Sequence, residues 1–317
     1  MAKLRLGLIG TGVAANRLYL PAFQRLGRKL ELVACTNRTR RKAEAYAKLA
    51  GIPKVVNTPA ELLALPEVDA VLISLPIDAQ PALVLQALAA GKPVLSEKPI
   101  APSLAAGRKL VKAAARHSAP WLIGENHAFM PAIARLARWV EDGRLGEPRL
   151  LQAFQLAWID RKNPFFATSW RQKPAHVGGF IADAGVHLAH TVRRVMGMPK
   201  VVASLTAQFD PALLPVDTAV ALLRFDSGAL GTWTSCFSAH HKGPMLRVYG
   251  SRATAELGWD NAVLRNAKGK ETVFRTSVDS FEAQFSHFCD VVVRGAPVAY
   301  GPSEALLDLE LIEAIVR

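Results

Sequence analysis

A chain of 317 residues, 50% of them apolar, is long enough for two domains of ordinary size, each with its own core. Its three widely spaced cysteines (Cys35, Cys236, Cys289) argue against a disulfide framework and fit a reducing compartment, the cytoplasm; the first strand begins almost at once at Lys3, so no signal peptide is expected. The net charge of +13 lies mostly on helix-patterned segments (Arg108, Lys109, Lys112, Arg116) without interleaved aromatics, and the longest apolar stretch, Ala70 to Leu88, is broken by Pro76, Asp78 and Pro81, so neither nucleic acid nor a membrane is an expected partner.

Through residue 125 the pattern alternates strand and helix. Short β-rich apolar runs stand at Leu6–Ile9, Leu30–Cys35, Ala70–Leu75, Val94–Ser96 and Trp121–Gly124; helical spacing fills Arg41–Leu49, Ala82–Ala90 and Leu104–His117 between them. Thr58-Pro59-Ala60-Glu61 marks a helix start, with a capping Thr, Pro at the first helical position and Glu three residues after the cap; Gly91 marks a helix stop. Such alternation calls for a doubly wound parallel sheet covered on both faces, a Rossmann domain over residues 1–125.

The texture then changes. After a helix at Ala132–Glu141, ended by Gly143, strand-like runs follow at Leu150–Trp158, Val201–Gln208, Thr218–Phe225, Ala229–Phe237 and Met245–Tyr249, with Asp226-Ser227-Gly228 as a hairpin turn. Helices are expected at Ile181–Met196, Phe281–Arg294 and Ser303–Val316, and His240-His241 in a loop. Strands joined by hairpins with few helices between them predict an α+β domain over 126–317 with a mostly antiparallel open-faced sheet; a closing helix or strand is expected to cross back to the first domain. Thr218–Phe225 is apolar on both faces, Val220 and Leu222 on one and Leu223 and Phe225 on the other, which predicts a homodimer or homotetramer formed through this sheet.

Gly10-Thr11-Gly12-Val13-Ala14-Ala15 follows the first strand and opens a helical segment. The first glycine permits the tight turn, the second lets backbone approach a pyrophosphate, and the small residues after it let helix pack on strand, with the helix N-terminus facing the negative charge. The second strand ends in Thr36-Asn37-Arg38-Thr39-Arg40-Arg41, where a carboxylate would hold the ribose of NAD. Here no carboxylate repels a 2′-phosphate, and guanidiniums that pair bidentately with phosphate lie in reach, so NADP(H) is expected in preference to NAD(H), with Asn37, Arg38 and Arg41 as contacts. A solvated basic helix start is the plainer alternative, although cations there oppose the helix dipole.

The strand at Val94–Ser96 runs into Glu97-Lys98-Pro99 at the carboxyl edge of the sheet, where ligands of such folds bind. In the second half, Gly178-Gly179-Phe180-Ile181-Ala182-Asp183-Ala184-Gly185-Val186-His187 puts Asp183 and His187 on one face of a helix. That spacing also describes an exposed helical pair or two metal ligands; with no third residue in a ligand motif, no metal is expected.

The glycine finger, Glu97-Lys98-Pro99 and the Gly-Gly…Asp…Gly…His segment, in this order and spacing over nearly the whole chain, closely resemble the glucose–fructose oxidoreductase/inositol dehydrogenase family, and Trp170-Arg171 resembles its pattern as well. The resemblance implies an enzyme that moves hydride between nicotinamide and a sugar, polyol or cyclitol. By the same resemblance Lys98 hydrogen-bonds the substrate oxygen, Asp183 orients the substrate, His187 exchanges the hydroxyl proton, and Trp170 and Arg171 line the substrate pocket. Leu75, Pro76, Gln80, Glu97 and Asn126 join the cofactor contacts. A histidine, with an unperturbed pKa near ~6.5, suits proton exchange at neutral pH, and a cation beside the oxygen stabilises a developing alkoxide.

The chain departs from the family pattern at Gln80, where His is frequent, at Ala128, where Arg is common, and at His190, where Asp often stands; it also ends at Arg317 in a helix without a final strand, as a trimmed end would. A redox-inactive NADP-binding sensor and an NAD-dependent glycosidase of the same fold are the competing functions. Retention of Lys98, Asp183 and His187 together argues against the sensor.

Overall fold

β-branched and leucine-rich runs too short for helices, each followed by a helical segment, assemble in the computed structural model into a six-stranded sheet; residues 3–240 and 243–317 are described. His241, half of the pair expected in a loop, lies outside them. The chain divides into two compact units, one comprising residues through Phe129 together with Asp279–Leu306, the other Met130–Val278 together with Leu307–Arg317.

In the first unit the strands are β1 (Leu4–Ile9), β2 (Leu30–Thr36), β3 (Lys54–Val55), β4 (Ala70–Ile73), β5 (Val94–Glu97) and β6 (Trp121–Gly124). They pair in the order β3-β2-β1-β4-β5-β6, all parallel. Between them run a π-helical turn (Ala15–Tyr19) continuing into α1 (Leu20–Arg25), then α2 (Arg40–Ala50), α3 (Pro59–Leu63), α4 (Gln80–Ala89) and α5 (Leu104–Ala114). The capping box forms as read: the Glu61 N–H donates to Thr58 Oγ1 at 3.1 Å, and the Glu61 carboxylate accepts from the Asn57 N–H at 3.0 Å. Strand order reverses between β1 and β4, the place where an open parallel sheet leaves a crevice at its carboxyl edge.

The second unit contains α6 (Pro131–Glu141), α7 (Ser169–Gln172), α8 (Gly179–Met196) and an eight-stranded sheet. Its strands are β7 (Pro148–Leu156), β8 (Lys200–Ala207), β9 (Thr218–Arg224), β10 (Leu230–Cys236), β11 (Leu246–Gly250), β12 (Ala253–Leu257), β13 (Asn261–Asn266) and β14 (Glu271–Arg275). They are ordered β14-β13-β12-β11-β7-β10-β9-β8; only β7 and β10 pair in parallel. Alternation sorts the inner strands into a core face and an open face: Ala219, Ala221 and Leu223 are buried with Trp233 and the α8 residues Val186 and Ala189, while Val220 and Leu222, with Leu205 of the edge strand β8, are exposed. β7 stops at Leu156, and Trp158 makes only an isolated bridge to Ser238. The strands β12 to β14 have no counterpart in the sequence reading; Ala253, Ala255 and Ala262 weaken the β signal of β12 and β13, and β14 is a five-residue edge strand between charged residues.

Two helices close the chain, α9 (Ser280–Arg294) and α10 (Pro302–Val316). α9 belongs to the first unit: Phe285 packs against Phe23 at 4.6 Å and Tyr19 at 5.3 Å between ring centroids. The later turns of α10 belong to the second unit, where Ile312 lies so close to Gly185 that a Cβ there would stand 2.7 Å from its Cδ1. Gly185 thus lets α10 pack on α8. Among the described residues no helix is long and apolar enough to cross a membrane.

Candidate active site

In the first unit the residues singled out from the sequence collect along the carboxyl edge. Gly10 takes φ +100°, and a Cβ on it would stand 2.1 Å from the Ser74 carbonyl oxygen, so only glycine lets the end of β1 turn against the end of β4. At Gly12 a Cβ would meet no atom within 4 Å. The space over that peptide is open, as a backbone cradle for a pyrophosphate requires. Asn37 ties the ends of β1 and β2 together, donating from Nδ2 to Thr11 Oγ1 at 2.9 Å while its Oδ1 accepts the Thr39 N–H at 3.0 Å. Asn16 caps the turn, donating to the Gly12 carbonyl at 2.7 Å. Val13 and Ala14 begin the helical segment, half-buried behind the turn.

The three arginines after β2 divide. Arg40 is committed to Glu44 at 2.8 Å and to Asn57. Arg38 and Arg41 are exposed and form no ion pair or side-chain hydrogen bond among the described residues. Leu75 and Pro76 lie half-buried past β4, with Leu75 Cδ2 2.9 Å from where a Gly10 Cβ would be. Gln80, the first residue of α4, is 1% exposed, and neither end of its amide has a hydrogen-bond partner among the described residues. Thr36 Oγ1 is likewise buried without one. Open space above Gly12 and unspent polar groups at the same edge suit a dinucleotide.

Glu97 ends β5, and half-buried Lys98 follows it into a cis peptide with Pro99. β5 lies between β4 and β6, so Lys98 leaves the same edge as the glycine turn. Asn126, in a short 3-10 turn after β6, donates to Ser280 Oγ at 2.9 Å.

In the second unit α8 carries Asp183 and half-buried His187 on one face, as the spacing requires. Its start explains the two glycines. Gly178 and Gly179 both have positive φ, and a Gly179 Cβ would stand 2.0 Å from the Leu214 carbonyl oxygen, so the loop before β9 closes on the helix N-terminus. Asp183 receives the Arg171 Nε at 2.7 Å in a pair whose side chains are only 8% and 14% exposed. The guanidinium of Arg171 lies over the Trp170 ring at 4.0 Å and the Phe165 ring at 5.2 Å, and its Nη1 reaches Thr168 Oγ1 at 3.3 Å. The arginine is therefore held by two aromatic rings, a hydroxyl and the Asp183 carboxylate. Nothing in the sequence tied Arg171 to Asp183, which lie in different elements.

Gln155 of β7 is a further residue that sequence reasoning missed: its Nε2 donates to the Ala184 carbonyl at 2.8 Å, anchoring the turn of α8 between Asp183 and His187. His190, one turn on, is buried with its Nδ1 3.9 Å from Asp308 Oδ2, and Asp308 also pairs with Arg193. Among the described residues no three His, Cys, Asp or Glu side chains are grouped to hold a metal.

A Rossmann sheet with an open glycine turn, joined in one chain to an α+β unit with a mostly antiparallel sheet, fits the class of nucleotide-dependent oxidoreductases. Residues 4–125 match the oxidoreductase family with NAD-binding Rossmann fold, and residues 133–256 match the GFO/IDH/MocA C-terminal domain. The chain belongs to the GFO/IDH/MocA family, and it is an enzyme of the dehydrogenase/reductase type. An uncharacterised protein of Saccharomyces cerevisiae is 31% identical over 100% of this chain and 96% of its own. A 1,5-anhydro-D-fructose reductase of Ensifer adhaerens is 28% identical over 94% and 91%. The crystal structure of an oxidoreductase from Thermotoga maritima superposes with a TM-score of 0.95 at 34% identity, covering 100% of this chain and 96% of that one.

Proposed function

We propose that the protein is an NADP(H)-dependent oxidoreductase that moves hydride between nicotinamide and a CH–OH or C=O group of a sugar, polyol or cyclitol. The observation that carries this reading is the shared edge of the first unit, where the open glycine turn leaves β1 and Lys98 leaves β5, two parallel strands with only β4 between them. The first unit is the cofactor-binding domain in this reading, and the second binds substrate and forms the oligomer.

Gly10, Thr11, Gly12, Val13 and Ala14 hold the pyrophosphate; Leu75, Pro76, Gln80, Glu97 and Asn126 line the rest of the cofactor site. Bound nicotinamide supplies the hydride acceptor or donor. Lys98 hydrogen-bonds the substrate oxygen and stabilises negative charge as it develops there. His187 takes the hydroxyl proton during oxidation and returns it during reduction. Asp183 orients the substrate and holds Arg171, which with Trp170 walls the pocket. The name of the bacterial relative, a reductase of a sugar derivative, supports the substrate class. Screening sugars, cyclitols and dicarbonyl compounds with both cofactors, read by nicotinamide absorbance, tests it; no turnover of any of them overturns it.

Cofactor choice rests on Arg38 and Arg41, exposed and uncommitted beside a β2 end that lacks a carboxylate. NADP(H) binds more tightly than NAD(H), and the Arg38→Ala, Arg41→Ala double variant narrows the gap by roughly 1–3 kcal/mol per lost contact. Calorimetry showing equal affinities for the two cofactors in the unmodified protein sinks this assignment.

The open face of β8, β9 and β10 supports a homodimer or homotetramer. Val202, Leu205, Val220, Leu222 and Leu230 expose apolar side chains on these strands, as a face covered by a second chain would. Light scattering at micromolar concentration is expected to show a mass of at least two chains; a monomer removes the proposal. Three free cysteines, of which Cys35 and Cys289 are pushed up to about 11 by burial, suit a cytoplasmic setting.

A further inference from the structure

The turn after α6, the turn between β11 and β12 and the β13–β14 hairpin enclose a depression of about 440 Å³ on the second unit, within the size range of small-molecule sites. Arg144, Arg252, Lys270, Asn266 and Thr272 line it, Leu264 forms part of its floor, and no carboxylate lines it. None of the three cations makes an ion pair among the described residues. Carboxylates adjoining them in sequence are committed elsewhere, Asp142 to Arg138 at 3.1 Å and Glu271 to Arg265 at 2.6 Å.

Two of the cations are held in place by neutral groups, which fix them without cancelling their charge. The Arg252 Nη2 donates to the Gly143 carbonyl at 2.7 Å, and the Arg144 guanidinium lies 5.5 Å from the Trp139 ring centroid. Gly146 is required for this arrangement: it has φ +75°, and a Cβ there would stand 2.2 Å from Ser251 Oγ and 3.1 Å from Arg252 Cγ. Asn266 is preset as well. Its Oδ1 accepts the Lys268 and Lys270 N–H groups, each at 3.0 Å, so its NH2 end is the one left for a ligand. The lining thus presents two guanidiniums, an ammonium, an amide NH2 and a hydroxyl, a set rich in donors in which the guanidiniums and the amide are held before anything binds. Preorganised donors and unneutralised charge favour a multiply charged oxyanion.

We infer that this depression binds a small molecule carrying two or more phosphate-type oxyanions, at a site formed wholly by the second unit. The test is calorimetric titration of the full-length protein with inorganic pyrophosphate and, separately, with fructose 1,6-bisphosphate. Lys270→Glu reverses a lining charge whose side chain makes no hydrogen bond or ion pair among the described residues, while Lys268→Glu makes the same charge change in the same turn outside the lining. Lys270→Glu is expected to weaken binding by about tenfold or more and Lys268→Glu by less than about threefold, since a direct charge-assisted contact outweighs a screened one. Arg144→Gln should weaken it as well. Tighter binding of pyrophosphate assigns the site to inorganic phosphates, and tighter binding of the bisphosphate assigns it to phosphorylated metabolites; either upholds it. Equal losses in the two lysine variants, or no binding of either probe at millimolar concentration, overturns it. So does a twelve-nucleotide single strand that binds more tightly than both probes and loses affinity alike in both variants, which would mark a polyanion-binding surface instead.

Discussion

Lys98→Met is expected to bind NADPH nearly as the unmodified protein does and to transfer hydride ~10²–10³-fold more slowly, the loss that follows removal of one donor to a developing oxyanion. Methionine keeps much of the length and apolar stem of lysine and discards the ammonium. The backbone that carries the residue is set by the register of β5 between β4 and β6, which the substitution leaves alone. The glycine turn after β1 is likewise untouched, so the cofactor end of the unit provides an internal control. Single-turnover absorbance at saturating cofactor separates the two effects. Hydride transfer at the unmodified rate would remove Lys98 from the chemistry whatever the fold.

His187→Ala is expected to slow turnover by ~10²–10⁴-fold, because an unpositioned water replaces the base. Asp183→Asn should differ in kind. The buried Asp183 carboxylate receives Arg171 at 2.7 Å, and the guanidinium lies over Trp170, so weakening the pair loosens the two residues proposed to line the substrate pocket. KM is therefore expected to rise as kcat falls, whereas His187→Ala acts mainly on kcat. The variant should also melt at a lower temperature, since a buried guanidinium is left facing a neutral group. A kinetic and thermal profile for Asp183→Asn indistinguishable from that of His187→Ala would refute the separate roles.

Much of this was legible in the chain itself, and the reasons are local. Strand–helix alternation over the first 125 residues, glycines at 10 and 12, the capping box at Thr58 and the Asp183–His187 spacing are each set by backbone conformation or helical period within a few residues. They determined the parallel sheet, its glycine turn and the helix that carries two of the three proposed catalytic side chains.

Tertiary structure decided what depends on residues far apart. Arg40 and Arg41 are adjacent and alike in sequence; only the fold shows Arg40 spent on Glu44 and Asn57 and Arg41 left exposed. Asp183 carries no mark of its pairing with Arg171, nor Gly179 of the Leu214 carbonyl oxygen that excludes a side chain. The sequence predicts a helix at Phe281–Arg294 and a closing helix or strand that crosses back, but only the packing of Phe285 on Tyr19 and Phe23 assigns α9 to the unit that begins the chain. Periodicity reports which face of an element is apolar, and carries no information about which distant face will cover it.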